Sequence, residues 1–208
     1  MATAQSDTTA AVLAALSAAA VGAAALSLVW VDLRPTGRSA MRDAVSDHGA
    51  DPRYRLFYRV LVVLLGLGAL LLLIALARGT DVARGGLIWL GVYAVSRVAI
   101  AAFPTDLPGA PVTTVGRVHL VLAAAAFTAI AFAAADLTPS LGDQPGWGGA
   151  SGLLDVLRWA VVGAAFATLV TRVVPQLRGV FGLIERLLYA ASFAFLLTVA
   201  IEAVRVLG

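Results

Sequence analysis

The side chains best suited to chemistry in this chain are His119, Asp106 and Glu185, which can move or orient protons. Beside them stand Arg97, Arg117, Arg178 and Arg186, which can hold an anion, and Tyr93. A guanidinium is a planar fork that matches phosphate or carboxylate, and an imidazole changes charge near neutral pH. Tyr93 precedes Arg97 by one helical turn, so the two share a face with Ser96 alongside. Arg97 lies two turns before Pro104, roughly 10 Å of helix rise, close enough for its head to snorkel toward the membrane surface. Pro104, Thr105 and Asp106 suit a tight turn that bonds its own backbone. Thr113 or Thr114 can cap the helix that carries His119 in its first turn. Glu185 complements the positive start of the final helix.

The elements that must position these groups are membrane helices. The chain of 208 residues is 61% hydrophobic. Six apolar stretches are long enough to cross a bilayer, at 10–31, 57–78, 86–103, 118–137, 153–174 and 183–204. A span needs about 20 apolar residues against a hydrocarbon core about 30 Å thick. With no water there to satisfy N–H and C=O groups, the backbone must be helical. The expected fold class is therefore all-α, a single integral membrane domain over residues 1–208. Residues 1–33 hold no Lys or Arg, unlike the start of a signal peptide, so 10–31 reads as a retained first span.

Arginine placement sets the expected orientation. Arg34, Arg38, Arg42, Arg53, Arg55 and Arg59 flank the first connection, Arg97 and Arg117 the third, and Arg172, Arg178 and Arg186 the fifth. The other side has only Arg78, Arg84, Arg158 and Arg205. The positive-inside rule places the odd-numbered connections in the cytoplasm and both termini outside, in the cell membrane. The net charge of +3 follows from this pattern and does not indicate nucleic-acid binding. Ser39–His48 reads either as a short amphipathic helix on the inner surface or as a solvated basic loop that serves only topology. The connection Thr138–Gly152, with Trp147, is expected to be a flexible segment near the opposite interface. Small residues in the first, fourth and fifth spans predict tight packing there, and the leucines of the second span predict a lipid-facing helix.

Several chemistries are excluded or disfavoured. All fifteen basic residues are arginine, so no lysine Schiff base can form, and with no cysteine there is neither a disulfide nor a thiolate. His48 and His119 fall on one side, which does not suit a haem held by two histidines across the membrane. Asp43, Asp47, His48 and Asp51 have spacing compatible with a divalent cation, but read more simply as solvated loop charges. No phosphate-binding Gly-rich loop and no Gly-x-Ser-x-Gly elbow occurs. No cofactor and no metal is therefore expected.

The sequence resembles a known family at these same places. Arg97 before Phe103-Pro104-Thr105-Asp106, then Gly116-Arg117-Val118-His119, and Gly182-Leu183-Ile184-Glu185-Arg186 opening the last helix are similar to the domain-of-unknown-function 998 family of bacterial and archaeal membrane proteins. So is Met41–Asp47. The resemblance implies a multi-helix membrane fold with polar residues at Arg97, Pro104, Asp106, Arg117, His119, Glu185 and Arg186, and implies no reaction.

Three readings stay open. The leading one is a pocket at the cytoplasmic face that binds an anionic lipid headgroup or small metabolite through Tyr93, Arg97, Asp106, Arg117, His119, Arg178, Glu185 and Arg186, in sensing, scaffolding or transport. A second is a membrane-embedded hydrolase or transferase acting on lipid, with His119 as base and Asp106 orienting it. A third is a structural partner of another membrane protein, or of a second copy, through small-residue faces.

Overall fold

Asp7 opens the first helix by accepting the N–H groups of Thr9 and Ala10, both at 3.1 Å, which satisfies donors that a helix start leaves free. The computed structural model describes residues 7–107 and 109–208, so Pro108 of the Asp106 turn lies outside the described residues. The elements in chain order are α1 (Thr8–Asp32), α2 (Asp47–Ala50), α3 (Arg55–Gly79), α4 (Arg84–Ile100) and α5 (Thr114–Gly142), followed by α6 (Ser151–Val173), a 3-10 turn (Pro175–Val180) and α7 (Phe181–Leu207). Among the described residues there is no strand, and five helices are long and apolar enough to cross a membrane. Of the long helices, α4 is the shortest at 17 residues, about 25 Å at ~1.5 Å per residue. Tighter bonds from Ala101, Ala102 and Phe103 to residues three back carry the chain on to Phe103.

The long helices form a closed ring. Each packs on the next in sequence, and α7 returns to pack on α1. The start of α1, the ends of α3, α5 and α7 and the starts of α4 and α6 share one end of the bundle: Arg78 lies 3.5 Å from Asp7, and Ser140 accepts the Ala83 N–H at 2.7 Å. The connections 33–54, 101–113 and 174–180 therefore share the other end. Large apolar side chains such as Leu26, Ile88, Val121, Phe166 and Ile201 cover the flanks and are exposed, as a lipid-facing surface requires.

Three local expectations differ from what is found. First, α3 is not mainly lipid-facing: Leu61, Leu65, Leu72 and Leu76 are buried, while Leu67, Leu70 and Ile74 face out. The cause is close backbone approach at two glycines. A Cβ on Gly66 would sit 2.8 Å from the Ala94 carbonyl oxygen of α4, and one on Gly68 would sit 2.7 Å from Val21 of α1. Ser17 of α1 donates to the Gly68 carbonyl at 2.8 Å. By contrast α6, despite its small residues, is the least buried of the five long apolar helices.

Second, Thr138–Gly152 is not a free loop. α5 runs on through Pro139 to Gly142, and Gly146, at φ +89°, turns Trp147 inward until it is fully buried. Positive φ is open to glycine at little steric cost. Glu202 accepts from Arg205 Nε at 2.7 Å beside this plug.

Third, Ser39–His48 is not an amphipathic surface helix. It is a strap of turns ending in the single helical turn of α2, and Val45, Asp47 and His48 are buried. Its backbone makes turn bonds of its own, from Arg42 and Asp43 to the Ser39 carbonyl and from Asp47 to that of Ala44, and the groups these leave free are engaged from α7. Glu185 accepts the Val45 N–H at 2.7 Å, Leu183 donates its N–H to the Met41 carbonyl at 3.0 Å, and Arg186 donates to the carbonyls of Ala40 and Asp43 at 3.0 and 2.9 Å. Long-range partners have outcompeted the local helix.

Candidate functional site

The strap makes one wall of a cavity of about 740 Å³ at the end of the bundle where the Asp106 turn and the start of α7 meet. Arg42, Asp43, Ser46 and Asp47 line it from the strap, and Asp106 and Leu107 from the turn. α5 contributes residues from Gly116 to Phe127, about 16 Å of helix at ~1.5 Å per residue. Thr168, Leu169, Thr171 and Arg172 come from α6, and Arg178, Phe181 and Glu185 from the 3-10 turn and α7. Polar groups gather toward the connections. Leu120, Ala123, Ala124, Phe127 and Leu169 make the remaining wall apolar.

Each polar group is fixed by a local cause. Asp106 is held by Thr113, whose N–H and hydroxyl donate to its two carboxylate oxygens, both at 2.8 Å. The same Thr113 oxygen accepts the Gly116 N–H at 3.0 Å and starts α5 earlier than the apolar run alone suggests. Gly116 is required there, because a Cβ would collide with the Asp106 carboxylate. His119 Nδ1 lies 2.7 Å from the Phe103 carbonyl oxygen. A carbonyl only accepts, so Nδ1 carries the hydrogen and Nε2 is left as an acceptor. No hydrogen bond joins Asp106 to His119 among the described residues; Phe103, not Asp106, orients the imidazole. Thr168 and Thr171 donate back to the Ala164 and Ala167 carbonyls at 2.8 and 2.9 Å.

The strap acids are not the solvated charges that their polar neighbourhood suggests. Asp47 is buried, and burial pushes its carboxyl above the ordinary range against the pull of Arg38 at 3.7 Å. His48 Nε2 lies 3.4 Å from Asp32, and Arg186 grips the same carboxylate bidentately at 2.8 and 2.9 Å. These groups point to separate partners, and no cluster of three or more metal-ligating acids and histidines forms among the described residues.

Of the residues singled out from sequence, Asp106, His119, Arg178 and Glu185 line the cavity together. Arg117 is exposed and lies outside the lining. Arg186 anchors the strap. Arg97 is in the bundle interior, 1% exposed, with its guanidinium 4.6, 5.1 and 5.2 Å from the ring centres of Tyr189, Phe127 and Tyr93. It donates to the Tyr189 hydroxyl at 2.8 Å, while its Nε and Nη2 and the Tyr93 hydroxyl have no hydrogen-bond partner among the described residues. Stacking on aromatic faces is how a desolvated guanidinium is stabilised without a carboxylate. Phe127 belongs to both environments, lining the cavity and flanking Arg97.

Sequence reasoning passed over Arg42, Asp47 and Arg172 as cavity residues. Arg172 had a readable signal, lying at the end of its span on the arginine-rich side; the strap residues had none, because the bonds that fold the strap come from α7.

No curated protein and no solved structure matches the chain. The family model described as "Protein of unknown function (DUF998)" matches residues 12–202, and with an all-helical bundle bringing together the segments that carry the likeness, the chain belongs to that family of multi-pass membrane proteins.

Proposed function

We propose that the cavity binds an anionic headgroup, the phosphate of a membrane lipid or of a small metabolite, at the cytoplasmic face of a six-span bundle with both termini outside. One observation carries the reading. Arg42, Arg172 and Arg178 line an amphipathic cavity, and none forms an ion pair or donates a side-chain hydrogen bond among the described residues. Guanidinium forks beside an apolar wall suit a phosphate with attached acyl chains. The protein then works as a lipid-binding sensor, scaffold or transporter.

Native mass spectrometry of the detergent-purified protein tests this. Wild type is expected to retain phospholipid, and Arg172→Gln with Arg178→Gln to retain about tenfold less, equivalent to ~1.4 kcal/mol. Arg117→Ala, outside the lining, is expected to leave retention unchanged. Equal retention in the double variant sinks the reading.

The arginine excess around 33–54, 101–113 and 174–180 supports a cytoplasmic position for that end. The natural absence of cysteine makes this directly measurable. Gly148→Cys and Gly179→Cys both add a side chain where a Cβ meets nothing within 4 Å, at opposite ends. In intact cells an impermeant maleimide is expected to label Gly148→Cys, and to label Gly179→Cys only after permeabilisation. The reverse pattern inverts the topology.

One observation favours the lipid hydrolase or transferase as a second reading: Nδ1 of His119 is tied to Phe103, which leaves Nε2 as an acceptor on a cavity-lining residue. Binding is preferred because the Thr168 and Thr171 hydroxyls are turned onto their own helix and Asp106 is held by Thr113.

A further inference from the structure

The polar groups of the cavity divide into those engaged by the protein and those left over. Asp106 accepts twice from Thr113, Asp43 accepts the Ser39 N–H at 2.7 Å, and Asp47 faces Arg38. Thr168 and Thr171 bond their own helix. Left over among the described residues are the guanidinium groups of Arg42, Arg172 and Arg178, and, beside the Ser46 hydroxyl and the second oxygen of Asp43 on the strap, two acceptors on the helices, the second oxygen of Glu185 and Nε2 of His119. Glu185 accepts the Val45 N–H with Oε2 alone, and His119 meets Phe103 through Nδ1 alone.

These leftovers are sorted by depth. The arginines are exposed and stand toward the connections. Glu185 is 4% exposed and His119 2%, and both line the cavity. The free Glu185 oxygen and His119 Nε2 open on the cavity, so a ligand that filled it with negative charge alone would satisfy the arginines and shut both acceptors away from any donor. Leaving buried polar groups unmatched is costly, more so when charged.

We infer that the cavity selects a phosphoester that also carries a primary ammonium, with the phosphate at Arg172 and Arg178 and the ammonium between Glu185 and His119. The inference rests on the binding reading above and names its ligand class. A primary ammonium has three N–H donors, enough for both buried acceptors with one to spare. A trimethylated ammonium has none, and a glycerol headgroup brings hydroxyls but no charge for Glu185. A site built around donors rejects analogues that lack them more strongly than it rejects a change of apolar bulk. The apolar wall of Leu120, Ala123, Ala124, Phe127 and Leu169 gives acyl chains a place beside the headgroup.

The test is a competition. Delipidated full-length protein is incubated with equal amounts of phosphatidylethanolamine, phosphatidylglycerol and phosphatidylcholine in mixed micelles, and bound lipid is counted by native mass spectrometry. The ethanolamine lipid is expected to exceed each of the others by about tenfold, or ~1.4 kcal/mol. Glu185→Gln keeps an oxygen for the Val45 N–H but loses the charge. It is expected to bring ethanolamine lipid down to the level of the glycerol lipid, with the latter unchanged, whereas Arg172→Gln with Arg178→Gln lowers all three. If Glu185→Gln fails to fold, the wild-type ranking alone decides.

A parallel arm adds soluble O-phosphoethanolamine at millimolar concentration. Displacement of bound lipid supports the same chemistry with a free metabolite as its source, and resistance supports the lipid. Equal or greater binding of phosphatidylglycerol, or Glu185→Gln with no effect on the ranking, overturns the inference while the phosphate site stands. Wild type that retains none of these molecules overturns the inference and the phosphate site together.

Discussion

Gly182→Ala is expected to lower the stability of the purified protein by about 3 kcal/mol or more and to abolish lipid retention at the cavity. A Cβ at this position would collide with the Asp43 carbonyl and come within 2.8 Å of the Ala40 carbonyl oxygen, and both obstacles are backbone. The strap must therefore move. Moving it breaks the Glu185 bond to Val45 and the Arg186 bonds to Ala40 and Asp43. Overpacking costs roughly 1–3 kcal/mol, and each buried group left without a partner costs about 1–3 more. Chemical unfolding in mixed micelles, followed by tryptophan fluorescence, measures the loss. A Gly182→Ala protein of wild-type stability would show that α7 does not clamp the strap.

The second large effect concerns Arg97, and the comparison between two replacements carries the information. Arg97→Ala is expected to destabilise by about 2–5 kcal/mol, since it empties a fully packed site between Tyr93, Phe127 and Tyr189. Arg97→Met refills most of that volume and removes a charge that has no carboxylate partner. Replacing buried charges with well-packed apolar groups is often neutral, so the methionine variant is expected to lose less than about 1.5 kcal/mol. Because Arg97 is absent from the cavity lining, the same variant is expected to retain lipid as wild type does. If Arg97→Met is as unstable as Arg97→Ala, the positive charge itself holds the aromatic box together.

What could be read in advance follows the range of the forces involved. The apolar runs mark the helices because burial in hydrocarbon leaves the backbone no other solution. Arginine spacing marks the odd-numbered connections, and these do share one end of the bundle. That shared end brings Asp106, His119, Arg178 and Glu185 into the lining of one cavity. Residues whose placement depends on a distant partner were not readable. Leu65 and Leu72 look like lipid-facing leucines until Gly66 and Gly68 draw α4 and α1 against them. The segment around Trp147 looks like a flexible loop near the interface until Gly146 turns the indole inward. The strap looks like a surface helix because local propensity is all that its own residues declare. Arg97 was placed among surface ligands on the strength of its reach, yet its ring neighbours come from α5 and α7 as well as its own helix.

The clamp of α7 on the strap also dictates an order of biogenesis. Ribosomal synthesis delivers residues 40–47 long before Gly182, Leu183, Glu185 and Arg186 leave the exit tunnel. Until then the Val45 N–H and the Met41 carbonyl have no mate, and α1 lacks the neighbour that closes the ring. An insertion intermediate holding every helix but the last thus has an unfinished binding chamber. Vectorial assembly leaves the strap without its anchor until the final helix has packed.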